Sequence, residues 1–129
     1  MTTDATSSAG WEQHLQQAVT SALSVPGGLP LVIDMLARIP GARVVTVRQG
    51  WTGKHTSVEV GNYRFAPTKD GRLEVGHAVN DVVLSTQALH AGPAASAIVQ
   101  AAQQQVINFG PGVIPDIEAI TAGLEAAGR

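Results

Sequence analysis

At 129 residues, with 44% hydrophobic residues, 14% charged residues and no cysteine, the chain has the size of one domain. The lack of cysteine excludes disulfides, thiolate metal sites and a cysteine nucleophile. The net charge of −2 conceals a split: seven of the eight bases lie in residues 38–72 against two acids, a net +5, while the flanks hold one base against eight acids, a net −7. The charged fraction is well below the ~25% usual for soluble domains, so small and amide side chains, or a partner, must cover much of the surface.

Residues 1–10 are Thr-, Ser- and Ala-rich, with no basic n-region or apolar h-region. They read as a flexible N-terminal tail and not a secretory signal, with a single α+β domain following over 11–127. Trp11, Leu15, Val19, Ala22 and Leu23 lay one apolar stripe along a first helix, which ends by Pro26-Gly27-Gly28. A second helix opens with Pro30, where the missing N–H costs nothing, and stops before Pro40-Gly41. Its residues Leu31, Val32, Ile33, Met35, Leu36 and Ile39 are apolar nearly all round, interrupted only by Asp34 and Arg38. Such a helix is central to the domain or half of a subunit interface, with Leu31, Met35 and Ile39 the expected contacts. Leu29–Ile39 is also the longest apolar stretch, far short of the ~20 residues of a membrane span, so no membrane crossing is expected.

From Arg43 the hydrophobic period changes from helical to two. Val45 and Val47, then Thr56, Val58 and Val60, then Tyr63 and Phe65, then Leu73, Val75, His77 and Val79 each alternate with polar or small residues. The joints are Gly50-Trp51-Thr52-Gly53, Gly61-Asn62 and Lys69-Asp70-Gly71, short enough to force antiparallel pairing. At Asn80-Asp81 the alternation breaks, and the apolar run Val82-Val83-Leu84 reads as the same strand continuing past a bulge or tight bend. Pro93 opens a third helix that Gly110-Pro111-Gly112 cuts, and Pro115 opens a fourth with Asp116 and Glu118 in its first turn. The expected order is α-α-β-β-β-β-α-α: a small antiparallel meander sheet with helices packed on one face.

Four blocks stand in a familiar order: Pro26-Gly27-Gly28-Leu29-Pro30-Leu31-Val32, Gly61-Asn62-Tyr63-Arg64-Phe65, Asp70-Gly71-Arg72-Leu73, and Gly76-His77-Ala78-Val79-Asn80-Asp81-Val82-Val83-Leu84. Over about residues 15–107 the chain resembles a family of small actinobacterial proteins of mycobacterial type, a domain of unknown function. Such relatives carry Gly after the Asn of the last block, where this chain has Asp81, and the C-terminal helix is an extension. The resemblance implies the fold and a cytoplasmic setting. It brings no activity and no catalytic residues.

Gly50-Trp51-Thr52-Gly53-Lys54 has two residues between its glycines, where a phosphate loop needs four, and a strand follows instead of a helix. It reads as a hairpin turn with a surface Trp51. Arg43, Arg48, Lys54 and Arg64 with Trp51 form a candidate anion or partner surface. Strand phase places His77 on the core side, with Asp81 four residues on. A buried imidazole oriented by a carboxylate is how a general base is built, so His77, Asn80, Asp81 and Tyr63 mark a candidate pocket. No Ser or Thr nucleophile stands in an elbow motif, and His and acid spacings match no metal site, so no catalytic set, metal or cofactor is expected. Three functions remain in view. The first is a non-catalytic interaction or assembly module, homo-oligomeric or with a protein partner. The second is a small-molecule binder or weak enzyme near His77 and Asp81. The third is nucleic-acid contact through 38–72, which the overall acidity opposes.

Overall fold

The computed structural model of the protein describes residues 3–48, 54–68, 70–79 and 82–127. In chain order they form α1 (Thr3–Leu23), α2 (Gly28–Arg38), β1 (Arg43–Arg48), β2 (Lys54–Val60), β3 (Tyr63–Pro67), β4 (Leu73–Val79), β5 (Val82–Leu89), α3 (Ala91–Phe109), a 3-10 turn (Pro111–Val113) and α4 (Ile114–Ala127). The α+β architecture is the expected one, with one strand more. Val82-Val83-Leu84 does not continue β4. It opens β5, which runs back antiparallel along β4, with Val79 opposite Val82 and Leu73 opposite Leu89. The irregularity anticipated near Asn80 is a register shift between His77 and Ala78. An apolar run after a two-residue interruption fits a continued strand and a hairpin equally well, because both keep a period of two. α1 begins at Thr3, upstream of Trp11.

The five strands form a meander in sequence order. Register puts Val58, Phe65 and Val75 in one row of the inner face and Pro67, Leu73 and Leu89 in the next. α2 lies over β2 and β3, and α3 over β4, β2 and β5. A second layer, α1 and α4, rests on these two helices. The core fills both seams: Phe65, Val58, Leu73 and Val32 at the sheet, and Leu15, Val19, Ile98, Ile117 and Leu124 between helix layers. Small residues on α3, among them Ala94, Ala97, Ala101 and Ala102, are buried and let that helix approach neighbours on both sides.

α3 crosses the sheet obliquely, and hydrogen bonds pin its far half. Gln104 Oε1 accepts from the Asn62 N–H at the β2–β3 turn (2.9 Å), and Gln105 Nε2 donates to the Pro40 carbonyl (2.8 Å). The helix thus passes from the end of β5 to the β2–β3 turn. Among the described residues, two corners of the inner face stay open: one at Val44 on β1 and one at His77 and Ser85 on β4 and β5.

Candidate functional site

Among the described residues, the bases of the charged middle segment stand in local ion pairs. On the outer sheet face, register aligns Arg43, Glu59 and Arg64 across β1, β2 and β3. Arg43 Nη2 lies 3.0 Å from Glu59 Oε1, and Arg64 donates to Glu59 Oε2 through Nε (2.9 Å) and Nη2. Glu59 is only 12% exposed, so it sits between two guanidinium groups and answers both. Arg72 pairs with Asp70 at 2.7 Å, and Arg38 with Asp34 one turn back on α2 at 3.0 Å. Of the candidate anion surface, Arg43 and Arg64 therefore meet a carboxylate. Trp51 lies outside the described residues, as do the side chains of Arg48 and Lys54.

His77 shares its sheet face with Leu73 and Val75, as strand phase requires, but it is exposed and not buried. The physical reason is the oblique path of α3, which covers the rows through Phe65 and Leu73 and leaves the row through His77 at an open corner. There the imidazole leans on the ring of its cross-strand neighbour Tyr63, centroids 4.5 Å apart and planes at 52°. Tyr63 is itself buried, and its hydroxyl donates to Gln100 Oε1 of α3 at 2.8 Å. Ser85 stands opposite His77 on β5, also exposed. Neither Gln100 nor Ser85 announces itself in the sequence, because a helix crossing angle and a hairpin register bring them to this corner. Among the described residues no carboxylate orients His77 and no hydrogen bond joins it to Ser85. Asn80 and Asp81 lie outside the described residues. The arrangement is a surface ring pair, and an oriented buried base is not assembled among the described residues.

Two of the four sequence blocks, 26–32 and 70–73, hold joints of the fold. Gly27 takes a left-handed conformation (φ 81°), and a Cβ on Gly28 would fall 1.6 Å from the Ala22 carbonyl oxygen, so α2 starts in contact with the end of α1. In the Asp70-Gly71-Arg72 block, the Thr68 hydroxyl hydrogen bonds to Asp70 and accepts from the Arg72 N–H at 2.9 Å, and Arg72 Nε donates to Asp70 Oδ2 at 2.9 Å. The hydroxyl of Thr68 first, then Arg72, holds the Asp70 carboxyl below the usual carboxylate range. These side chains close the β3–β4 turn.

The surface of α2 is different in kind. Val32, Met35, Leu36 and Ile39 are buried inside the chain, so of the three expected interface residues only Leu31 reaches the surface, and it is half-buried. The helix period explains this: residues 32, 35, 36 and 39 share the face turned to the core. What remains outward is a narrow polar line, Pro30, Asp34 and Arg38, with half-buried apolar residues on either flank. Toward the sheet, Leu29, Ile33 and Ala37 face Val44, Val58 and Pro67 across a groove of about 450 Å³. Val44, 57% exposed on its open corner, forms one wall. Toward α4, Leu31 and Met35 face Ile120 and Leu124 across a groove of about 340 Å³.

Among the described residues no helix is long and apolar enough to cross a membrane, and no three His, Asp or Glu side chains gather as metal ligands would. A family model described as a domain of unknown function, DUF5073, matches residues 9–126, and the chain belongs to that family. No curated protein and no solved structure matches it.

Proposed function

We propose that this member of the family is a non-catalytic assembly module that binds a second copy of its own chain through the outer surface of α2. The observation that carries the reading is a helix apolar on both flanks of its outward face, with an open groove beside each flank. Burying those flanks removes apolar surface from water at about 25 cal/mol per Å². The helix has 11 residues and so rises about 16 Å, short for an interface of ~800 Å² per partner. An interface built on this helix alone is therefore smaller than that of an obligate dimer. The resemblance to small actinobacterial proteins and the lack of cysteine support a cytoplasmic setting.

The other two readings have less behind them. Four of the bases expected to meet a nucleic acid, Arg38, Arg43, Arg64 and Arg72, are held by carboxylates, which lowers the counterion release that drives such binding. A pocket at His77 needs an enclosed imidazole, and this one is exposed. Light scattering after size exclusion, run from micromolar to sub-millimolar chain, tests the assembly reading. The mass is expected to rise from 13.3 kDa toward twice that value with concentration. A mass that stays at 13.3 kDa to the top of the range overturns it.

A further inference from the structure

We infer that the second copy docks about a two-fold axis crossing α2 between Asp34 and Arg38, with the two helices antiparallel, so that Asp34 of each copy meets Arg38 of the other. This rests on the assembly reading above and adds its geometry. Asp34 and Arg38 are about two-thirds exposed, 3.0 Å apart, and the charged members of the polar line on α2. Opposite charges one helical turn apart form a pattern that is its own complement on reversal. Turned end for end, each charge lands on the opposite one, and two short pairs become a closed ring of four. A parallel arrangement would set Asp34 on Asp34 and Arg38 on Arg38, which like-charge repulsion disfavours. One flank obeys the same operation. A two-fold perpendicular to the helices, in the plane of contact, brings the flank of Ile33 and Ala37 onto the same flank of the second copy, with Ile33 beside Ala37. Apolar thus meets apolar on the Ile33 and Ala37 side of the charges, where the groove toward the sheet lies. A foreign partner would need that charge order supplied on its own surface, whereas a second copy carries it already.

The test uses charge reversal in the full-length chain, with circular dichroism confirming that each variant stays folded, since both side chains are exposed. Asp34→Arg sets a new guanidinium against Arg38 of the other copy, and Arg38→Asp sets a new carboxylate against Asp34. Each variant alone is expected to weaken self-association at least about tenfold, since like charges now face each other twice. Mixed in equal amounts, the two are expected to form a heterodimer, seen by sedimentation with one partner fluorescently labelled. The double variant, Asp34→Arg with Arg38→Asp, is expected to recover the wild-type dissociation constant. A wild-type dimer indifferent to the single reversals, or singles that fail to recover on mixing, would overturn the two-fold arrangement and leave the assembly reading standing. A wild-type chain that remains monomeric would remove both.

Discussion

Replacing Gly28 with alanine tests how closely α2 is folded against the end of α1. The added Cβ would lie 1.6 Å from the Ala22 carbonyl oxygen and 2.6 Å from its carbonyl carbon, and neither atom can turn aside, because both are backbone. Relief requires the Val25–Gly28 turn, in which Gly28 N–H donates to the Val25 carbonyl at 3.2 Å, to open and carry α2 with it. Overpacking costs about 1–3 kcal/mol where side chains share the adjustment. A clash against rigid backbone belongs at the top of that range, about 3 kcal/mol. At the first position of a helix, little of alanine's ~1 kcal/mol propensity advantage offsets it. For a domain of this size that is a fall of roughly 10 °C in Tm. Gly27 is the internal control: its φ is 81° with nothing within 4 Å of an added Cβ, so Gly27→Ala should cost only the left-handed penalty, about 1–2 kcal/mol. Thermal and urea unfolding followed by circular dichroism compare the two. If Gly28→Ala melts at or above Gly27→Ala, the close approach of the two helices is wrong.

Phe65, fully buried at the seam of sheet and helices, should lose about 3–5 kcal/mol on truncation to alanine, measured by urea unfolding. Glu59→Gln leaves Arg64, 24% exposed, facing Arg43 without a counterion, and should cost about 1–2 kcal/mol, while Arg43→Ala, at the more exposed end of the same row, should cost less than about 1. A ranking reversed between these two would contradict the central place given to Glu59. His77→Ala should change stability by less than about 0.5 kcal/mol, because only a surface ring contact with Tyr63 is lost, and a drop of several times that would mean the imidazole is core after all. Asp70 has a folded-state pKa below its unfolded one, so its contribution is present above the usual carboxylate range and fades as pH falls through the lowered value. Asp70→Asn should therefore flatten the acid limb of a stability–pH curve slightly, an effect kept small because the carboxylate is exposed to solvent, and an unchanged limb would show that the turn hydrogen bonds do not favour the ionised form.

The positions of the elements were legible because each rests on local chemistry. Pro26-Gly27-Gly28, Gly61-Asn62 and Asp70-Gly71 stop or reverse the backbone wherever they stand, and the change from helical period to period two at Arg43 marks the passage from helix to sheet. Register then brings Glu59 between Arg43 and Arg64 on the outer face, which turned two members of the expected anion surface into an ion-pair row. The reversal after Val79 was not legible, because strand pattern is the same whether the chain runs on or doubles back.

Burial at the edges of the pattern was beyond the sequence for a different reason. Strand phase assigned His77 to the correct face, yet whether a position on that face is covered depends on the angle at which α3 crosses. That angle is settled by contacts far apart in the chain: Gln105 on Pro40, Gln104 on Asn62 and small alanines against the sheet. The same holds for α2. Composition alone determined that a helix so apolar must be covered on more than one side. Only the packing of sheet and α4 decided which of its residues lie inside, Met35 and Ile39, and which are left outward beside Asp34 and Arg38. Local periodicity is a property of neighbouring residues, and coverage is a property of elements that meet across the fold.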